Sequence, residues 1–106
     1  LEHFIILEVR AFLSYFRKDV KMYYWRSTSQ FEMDLVLGTK WAIEIKSTTM
    51  VQNKHLKGIR ALMEENNIEN FAVISCDTNE RVTKDNITIF PWKRFLQKLW
   101  QGQIIL

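Results

Sequence analysis

The spacing of hydrophobic and polar positions along the chain predicts an alternation of helices and strands. Apolar residues recur at helical spacing over 2–17 and 51–65, and a last helix is predicted over 92–101, between a proline and a glycine. Strands are predicted where short runs are rich in aromatic or β-branched residues. These runs cover residues 21–26, 31–37, 41–47, 70–76 and 87–90. The polar segment 77–86 is predicted to be a loop.

The resulting order, α-β-β-β-α-β-β-α, predicts an α/β fold. Three consecutive strands, followed by a helical crossover to a further strand, indicate a mixed sheet of four or five strands with helices on its faces. The run 70–76 is apolar almost throughout, as in a buried central strand. We expect it to lie parallel to the strand that precedes the second helix.

Two of the predicted strands form a hairpin, and the length of its loop decides where the charged residues lie. A two-residue loop at 38–39 would place Asp34 opposite Ile43. A three-residue loop over 38–40 places Asp34 directly opposite Glu44. We prefer the longer loop because it gathers the charged residues on one face and the apolar residues on the other.

The charged residues of this hairpin suit a metal-dependent phosphodiester site. Glu44 and Lys46 share a face because side chains alternate along a strand, and the preferred register puts Glu32 opposite Lys46. The carboxylates of Asp34 and Glu44 would repel each other unless a cation lay between them, and Mg²⁺ or Mn²⁺ accepts such oxygen ligands. Lys46 could then orient or deprotonate a water, or neutralise charge on a phosphate. The simpler alternative for a Glu-x-Lys pair is an exposed ion pair.

The first helix offers a further acid. Its predicted apolar stripe runs through Phe4, Phe12 and Tyr15, and Glu8 lies in the middle of that stripe. We therefore expect Glu8 to point toward the sheet and its charged residues. Glu2 falls off the stripe and is predicted to face solvent.

Composition limits the class of protein. A length of 106 residues with 47% hydrophobic residues suits one domain with a packed core. The net charge of +3 favours an anionic partner such as DNA only weakly. Cys76 is the only cysteine, so an internal disulfide and a zinc cluster are excluded. No membrane helix or signal peptide is predicted, and we expect a cytoplasmic setting.

Several basic residues are candidates for contacts with a nucleic-acid backbone. Arg26 could contact phosphate or pair with an acid of the hairpin. Three cations along the second helix could follow a backbone, although a solvated helix face is the more common arrangement. These cations are Lys54, Lys57 and Arg60.

The order of a helix glutamate, a strand aspartate and Glu44-x-Lys46, followed by a helix and a strand, resembles the PD-(D/E)XK nuclease superfamily. That superfamily includes restriction endonucleases and archaeal Holliday-junction resolvases. The resemblance implies a restriction endonuclease-like three-layer sandwich whose acids bind Mg²⁺ and whose lysine assists hydrolysis. On this chain it implies Asp34, Glu44 and the carbonyl of Ile45 as metal ligands, Lys46 as the catalytic lysine and Glu8 as the first-helix acid.

A second resemblance rests on segments spread over nearly the whole chain. They are L-E-H-F-I-x-x-E, Y-W-R-S, F-E-M-D-L-V, A-I-E-I-K-S-T, H-L-K-G-I-R-A-L, I-F-P-W and F-L-x-x-L-W. These segments are similar to a C-terminal domain of unknown function in bacterial and archaeal AAA-type ATPases. The similarity implies that 1–106 is one domain of a longer polypeptide, preceded by an ATPase module. The chain itself has no Walker A motif.

Two functions are therefore expected. The first is a Mg²⁺-dependent, endonuclease-like domain that acts on DNA and is attached to an ATPase. The second is a catalytically silent nuclease-fold module for DNA binding or for assembly of the ATPase, with a homo-oligomer as one form of that assembly. Glu2 also matches a glutamate of the ATPase-associated domain, so the choice between Glu2 and Glu8 stays open.

Overall fold

Within the described part of the chain, six strands form one mixed sheet, and helices cover both of its faces. The computed structural model describes residues 1–26, 33–65 and 67–105, with the side chains at 24–26, 33–34 and 65 outside this description. In chain order the elements are α1 (Glu2–Tyr15), β1 (Met22–Arg26), β2 (Met33–Leu37), β3 (Trp41–Ile45), a 3₁₀ turn (Asn53–Leu56), α2 (Lys57–Glu65), β4 (Asn70–Ser75), β5 (Arg81–Val82), β6 (Ile87–Pro91) and α3 (Trp92–Trp100). The strand order across the sheet is β1-β2-β3-β4-β6-β5.

The hairpin of β2 and β3 has the predicted three-residue loop. The strands are antiparallel, Leu37 pairs with Trp41, and Asp34 pairs with Glu44. Gly38 opens the loop in the left-handed region at φ 55°, where a residue with a Cβ atom would be strained. The preferred register is therefore confirmed.

The centre of the sheet is parallel, as predicted. After β3 the chain crosses through the 3₁₀ turn and α2 to β4, which lies parallel to β3 on one side and to β6 on the other. A parallel neighbour on each side and helices on both faces bury β4, so its sequence is apolar almost throughout.

Each face of the sheet has its own hydrophobic core. On one face α1 and α3 pack against the sheet, and the largest side chains of this core are Phe12, Phe90 and Phe95. On the other face α2 packs through Ile59 and Leu62. Because side chains alternate along β3, Ile43 and Ile45 join the first core and Ala42 joins the second. Glu44 therefore belongs to the face that α2 covers.

The stripe by which α1 contacts the sheet differs from the predicted one. Phe4 and Tyr15, expected to be buried, are 46% and 75% exposed. The buried residues of α1 are Ile5, Val9, Phe12 and Leu13. Because α1 is apolar on most of its circumference, helical periodicity alone did not identify the stripe that faces the sheet.

Other differences concern short elements. β5 lies within the segment 77–86 that was predicted to be a loop, so the described residues form a sheet of six strands rather than four or five. A two-residue strand carries no periodicity that a sequence pattern could reveal. The predicted helix over 51–65 begins as a 3₁₀ turn, Asn53–Leu56. The predicted helix over 92–101 is confirmed as α3, Trp92–Trp100, with Pro91 at its N-cap. Gly102 follows α3 at φ 76°, as its predicted role at the helix end requires.

No helix among the described residues is both long enough and apolar enough to cross a membrane.

Candidate functional site

The carboxylate of Glu44 is the most deeply buried charged group in the described part of the chain. Its side chain is 1% exposed, and the amine Nζ of Lys46 lies 3.2 Å from Oε1. Lys46 follows β3 directly and its side chain is 14% exposed. A buried charge is tolerated only when it is paired, so Lys46 supplies part of the compensation that Glu44 requires. The pair is thus enclosed, in contrast to the exposed pair that an isolated Glu-x-Lys sequence suggests.

Gly58 of α2 packs directly against this carboxylate. A Cβ atom built at Gly58 would lie 3.2 Å from Oε1 and 3.4 Å from Oε2 of Glu44. The absence of a side chain at position 58 therefore makes room for the carboxylate between the sheet and α2. Close packing of the helix on the sheet at this position brings α2 against Glu44. The first turn of α2 also presents the positive end of its dipole near the negative charge.

Asp34 is the cross-strand partner of Glu44. Residues paired in this way in an antiparallel ladder have Cβ atoms about 4.5–5.5 Å apart. The main chain therefore supplies the juxtaposition on which the predicted metal site depends. The expected pairing of Glu32 with Lys46 and the contacts of the Arg26 side chain lie outside the described residues.

Glu8 does not approach this pair. Its Oε1 accepts a hydrogen bond of 3.3 Å from Nε1 of Trp100 in α3. Because α1 and α3 pack on the face opposite to α2, the sheet separates Glu8 from Glu44. The expectation that Glu8 points toward the sheet and its charged residues is wrong. The error arises because α1 packs on the sheet through a different stripe from the one predicted. Glu2, on the same helix, is exposed.

The described side chains do not form a complete metal cluster by themselves. Within that part of the chain, no three His, Cys, Asp or Glu side chains are grouped so that they could hold an ion. Glu44 is one donor in the described set, and the side chain of Asp34 lies outside it.

The basic residues near α2 fall into two groups. Nε of Arg60 contacts Oδ2 of Asp85 at 2.9 Å. Hydrogen bonds from Arg60 and from Thr83 hold the pKa of Asp85 below its usual range, because both favour the charged carboxylate. Arg60 is therefore engaged within the protein, whereas Lys54 and Lys57 are exposed on the surface.

Sequence reasoning missed a polar cluster just after β4. Oδ1 of Asp77 accepts hydrogen bonds from the Ser75 hydroxyl at 2.6 Å and from the Val51 amide at 3.0 Å. Nη2 of Arg81 donates to Oδ2 of Asp77 at 3.1 Å and to the Val51 carbonyl at 2.6 Å. Ser75 is fully buried and the Asp77 side chain is 8% exposed. The available signal was the position of Ser75 and Asp77 at the carboxyl end of a buried parallel strand, where functional residues of α/β proteins gather.

An open crevice of about 540 Å³ lies beside this cluster, at the carboxyl ends of β4 and β6. Its walls include Trp92, Lys93 and Arg94 at the start of α3. Cys76 also lines it and is exposed, although it is the last residue of the apolar run 70–76 that was predicted to be a buried strand.

Comparison with known proteins identifies the family of this chain. Neither the curated proteins nor the solved structures gave a match. The sequence profile of one family, described as domain of unknown function DUF4143, matches residues 1–95. This match covers most of the 106 residues, and the chain therefore belongs to the DUF4143 family.

Proposed function

We propose that this domain is a Mg²⁺-dependent phosphodiester hydrolase of the nuclease type that acts on DNA. The observation that carries the proposal is the pairing of Asp34 with Glu44 across the hairpin, with Lys46 in contact with Glu44 at 3.2 Å. Two acids in this arrangement could hold a metal ion, and a lysine beside them could stabilise the charge that develops on a phosphate during hydrolysis. Its similarity to PD-(D/E)XK nucleases gives further support.

The donor atoms suit the ion. The carboxylates of Asp34 and Glu44 and the carbonyl of Ile45 would be hard oxygen ligands, which Mg²⁺ and Mn²⁺ prefer. The burial of Glu44 also fits a bound cation, because a buried carboxylate is stabilised more by a nearby positive charge than an exposed carboxylate is. When bound, the ion would neutralise charge on the phosphate and make a bound water more acidic.

Lys46 would act from the outer side of this pair. Its amine is more exposed than the carboxylate of Glu44, at 14% against 1%. An ammonium group in that position can hold a phosphate oxygen or the attacking water. Glu44 is enclosed on the α2 side by Gly58, so substrate would approach from the side of Lys46.

Cleavage assays test this proposal. The full-length protein would be incubated with duplex, branched and single-stranded DNA, with Mg²⁺ or Mn²⁺ and with excess chelator. We expect metal-dependent cleavage that Lys46→Ala abolishes while metal binding persists. Lys40→Ala is the matched control, because Lys40 lies in the same hairpin and pairs with Glu69 at 3.2 Å on the surface. Absence of cleavage on all three DNA forms would exclude the proposal.

A second function is favoured by one specific observation. Glu44 and Lys46 already compensate each other in an enclosed pair, which is an arrangement that can serve the fold without a substrate. The domain would then be a silent nuclease-fold module that binds DNA or assembles an ATPase, and its similarity to ATPase-associated domains is consistent with that role. Salt-sensitive DNA binding or self-association that survives Asp34→Asn and Glu44→Gln would support this second function.

A further inference from the structure

We infer that Asp77 and Arg81 are positioning residues that hold Lys46 and α2 in place around Glu44. We refer to these two side chains as the Asp77–Arg81 clamp. The inference rests on the proposed function for its catalytic consequence. Its structural part concerns only contacts among the described residues and can be tested without any cleavage.

The clamp holds both main-chain polar groups of Val51, which lies in the segment that follows β3. The amide of Val51 donates to Oδ1 and Oδ2 of Asp77, at 3.0 and 3.3 Å. The carbonyl of Val51 accepts from Nη2 of Arg81 at 2.6 Å, and the same nitrogen contacts Asp77 at 3.1 Å. Ser75 completes the arrangement by donating its hydroxyl to Asp77 and accepting the Asp77 amide.

The segment held in this way connects the two groups that surround the Glu44 carboxylate. Lys46 lies at its start, and α2 with Gly58 follows its end. Main-chain bonds fix the first half of the segment, from the Lys46 amide to the Ile74 carbonyl at 2.9 Å and from the Cys76 amide to the Thr48 carbonyl at 2.8 Å. The clamp is the fixed point of the second half.

The clamp depends on the negative charge of the Asp77 carboxylate. The carboxylate accepts from three separate donors, the Val51 amide, the Ser75 hydroxyl and Arg81. An asparagine of the same size has only one acceptor oxygen, so it leaves at least one of these donors with a poorer partner. Because the Asp77 side chain is 8% exposed, water cannot readily replace the lost bond.

Chemical labelling of lysine measures the consequence at Lys46 directly. A small amine-reactive reagent would be applied to the full-length protein under native conditions, and labelling would be followed residue by residue by mass spectrometry. In Asp77→Asn we expect the labelling rate of Lys46 to rise about tenfold, the equivalent of one lost hydrogen bond to a charged group. Arg81→Lys is the milder variant, and we expect a rise of about threefold.

Two controls separate this effect from general loosening. Glu69→Gln breaks an exposed ion pair outside both α2 and the clamp, Lys40 with Glu69 at 3.2 Å, and it should leave the labelling of Lys46 unchanged. Within each variant Lys98 is the internal reference, because it is 22% exposed and pairs with Glu80 at 2.9 Å. Its labelling rate should stay constant.

The results distinguish this inference from the proposed function. If Lys46 labelling stays unchanged in both clamp variants, or rises by the same factor as Lys98, the clamp does not position Lys46 and the inference is overturned. In an active protein we also expect Asp77→Asn to lower kcat with little change in KM, since the lysine would be displaced without loss of DNA-binding surface. A wild-type protein that cuts no DNA would count against the proposed function alone, because the labelling rates still decide the role of the clamp.

Discussion

Replacement of Gly58 by alanine tests whether the carboxylate of Glu44 lies against α2. The added Cβ atom would meet Oε1 at 3.2 Å, Oε2 at 3.4 Å and Cδ at 3.6 Å. The first distance is shorter than an ordinary van der Waals contact by a few tenths of an ångström. Glu44 has little room to retreat, because it is 1% exposed and lies in contact with Lys46.

The sign of the effect follows from two opposing terms. In a helix without steric conflict, Gly→Ala stabilises the protein by up to about 1 kcal/mol, because glycine is the poorer helix former. Overpacking of a buried site costs about 1–3 kcal/mol. We therefore expect Gly58→Ala to lower the free energy of unfolding by about 1 kcal/mol.

Urea denaturation in two backgrounds separates these terms. In the Glu44→Ala background the steric conflict is absent, so Gly58→Ala should raise the free energy of unfolding by up to about 1 kcal/mol. The change of sign corresponds to a coupling energy of about 2 kcal/mol between positions 44 and 58. Lys57→Ala, at the neighbouring exposed position of α2, is the control and should change stability by less than about 0.5 kcal/mol in either background. A Gly58→Ala protein that is more stable than wild type, with no coupling to position 44, would refute the enclosed position of the carboxylate.

Three further predictions concern single side chains. Lys46→Ala removes the ion-pair partner of buried Glu44 and should cost about 3 kcal/mol in the free energy of unfolding, measured by urea denaturation; an unchanged midpoint would contradict the buried pair. Arg60→Ala should raise the pKa of Asp85 toward its ordinary value, measured by NMR titration. Because that pKa is depressed in the folded protein, the pair contributes stability above about pH 4 that is lost as the pH falls, and Arg60→Ala should weaken this dependence. Glu8→Gln should leave Mn²⁺ affinity unchanged in calorimetric titrations, since Glu8 lies on the opposite face of the sheet. A tenfold loss of Mn²⁺ affinity would instead show that Glu8 contributes to the metal site.

The architecture could be predicted because its signals are local and strong. The apolar run that became β4 identified a central parallel strand, and the glycine at position 38 was compatible with a loop of three residues. The register of Asp34 against Glu44 followed from a single physical argument, that charged and apolar residues separate to opposite faces of a hairpin. A pairing register shifted by one residue would have placed charged and apolar residues on the same face of the hairpin.

The failures arose where the sequence carries several equivalent signals. α1 is apolar almost all round, so the stripe that packs on the sheet depends on the sheet itself, and the prediction for Glu8 failed with it. The Asp77–Arg81 clamp depends on contacts with Val51, about 26 to 30 residues away along the chain, which no local pattern records. The enclosure of Glu44 by Gly58 likewise required the packing of α2 on β3.

Location of a bound cation tests the central claim most directly. Crystals of the protein would be soaked in Mn²⁺, and the anomalous signal would be examined between Asp34 and Glu44, with Glu44→Gln as the matched crystal. We predict one peak within coordination distance of both carboxylates in the wild type and none in the variant. If Mn²⁺ at saturating concentration gives no peak there while Lys46 keeps its 3.2 Å contact with Glu44, the pair is structural and the proposed hydrolase site is contradicted.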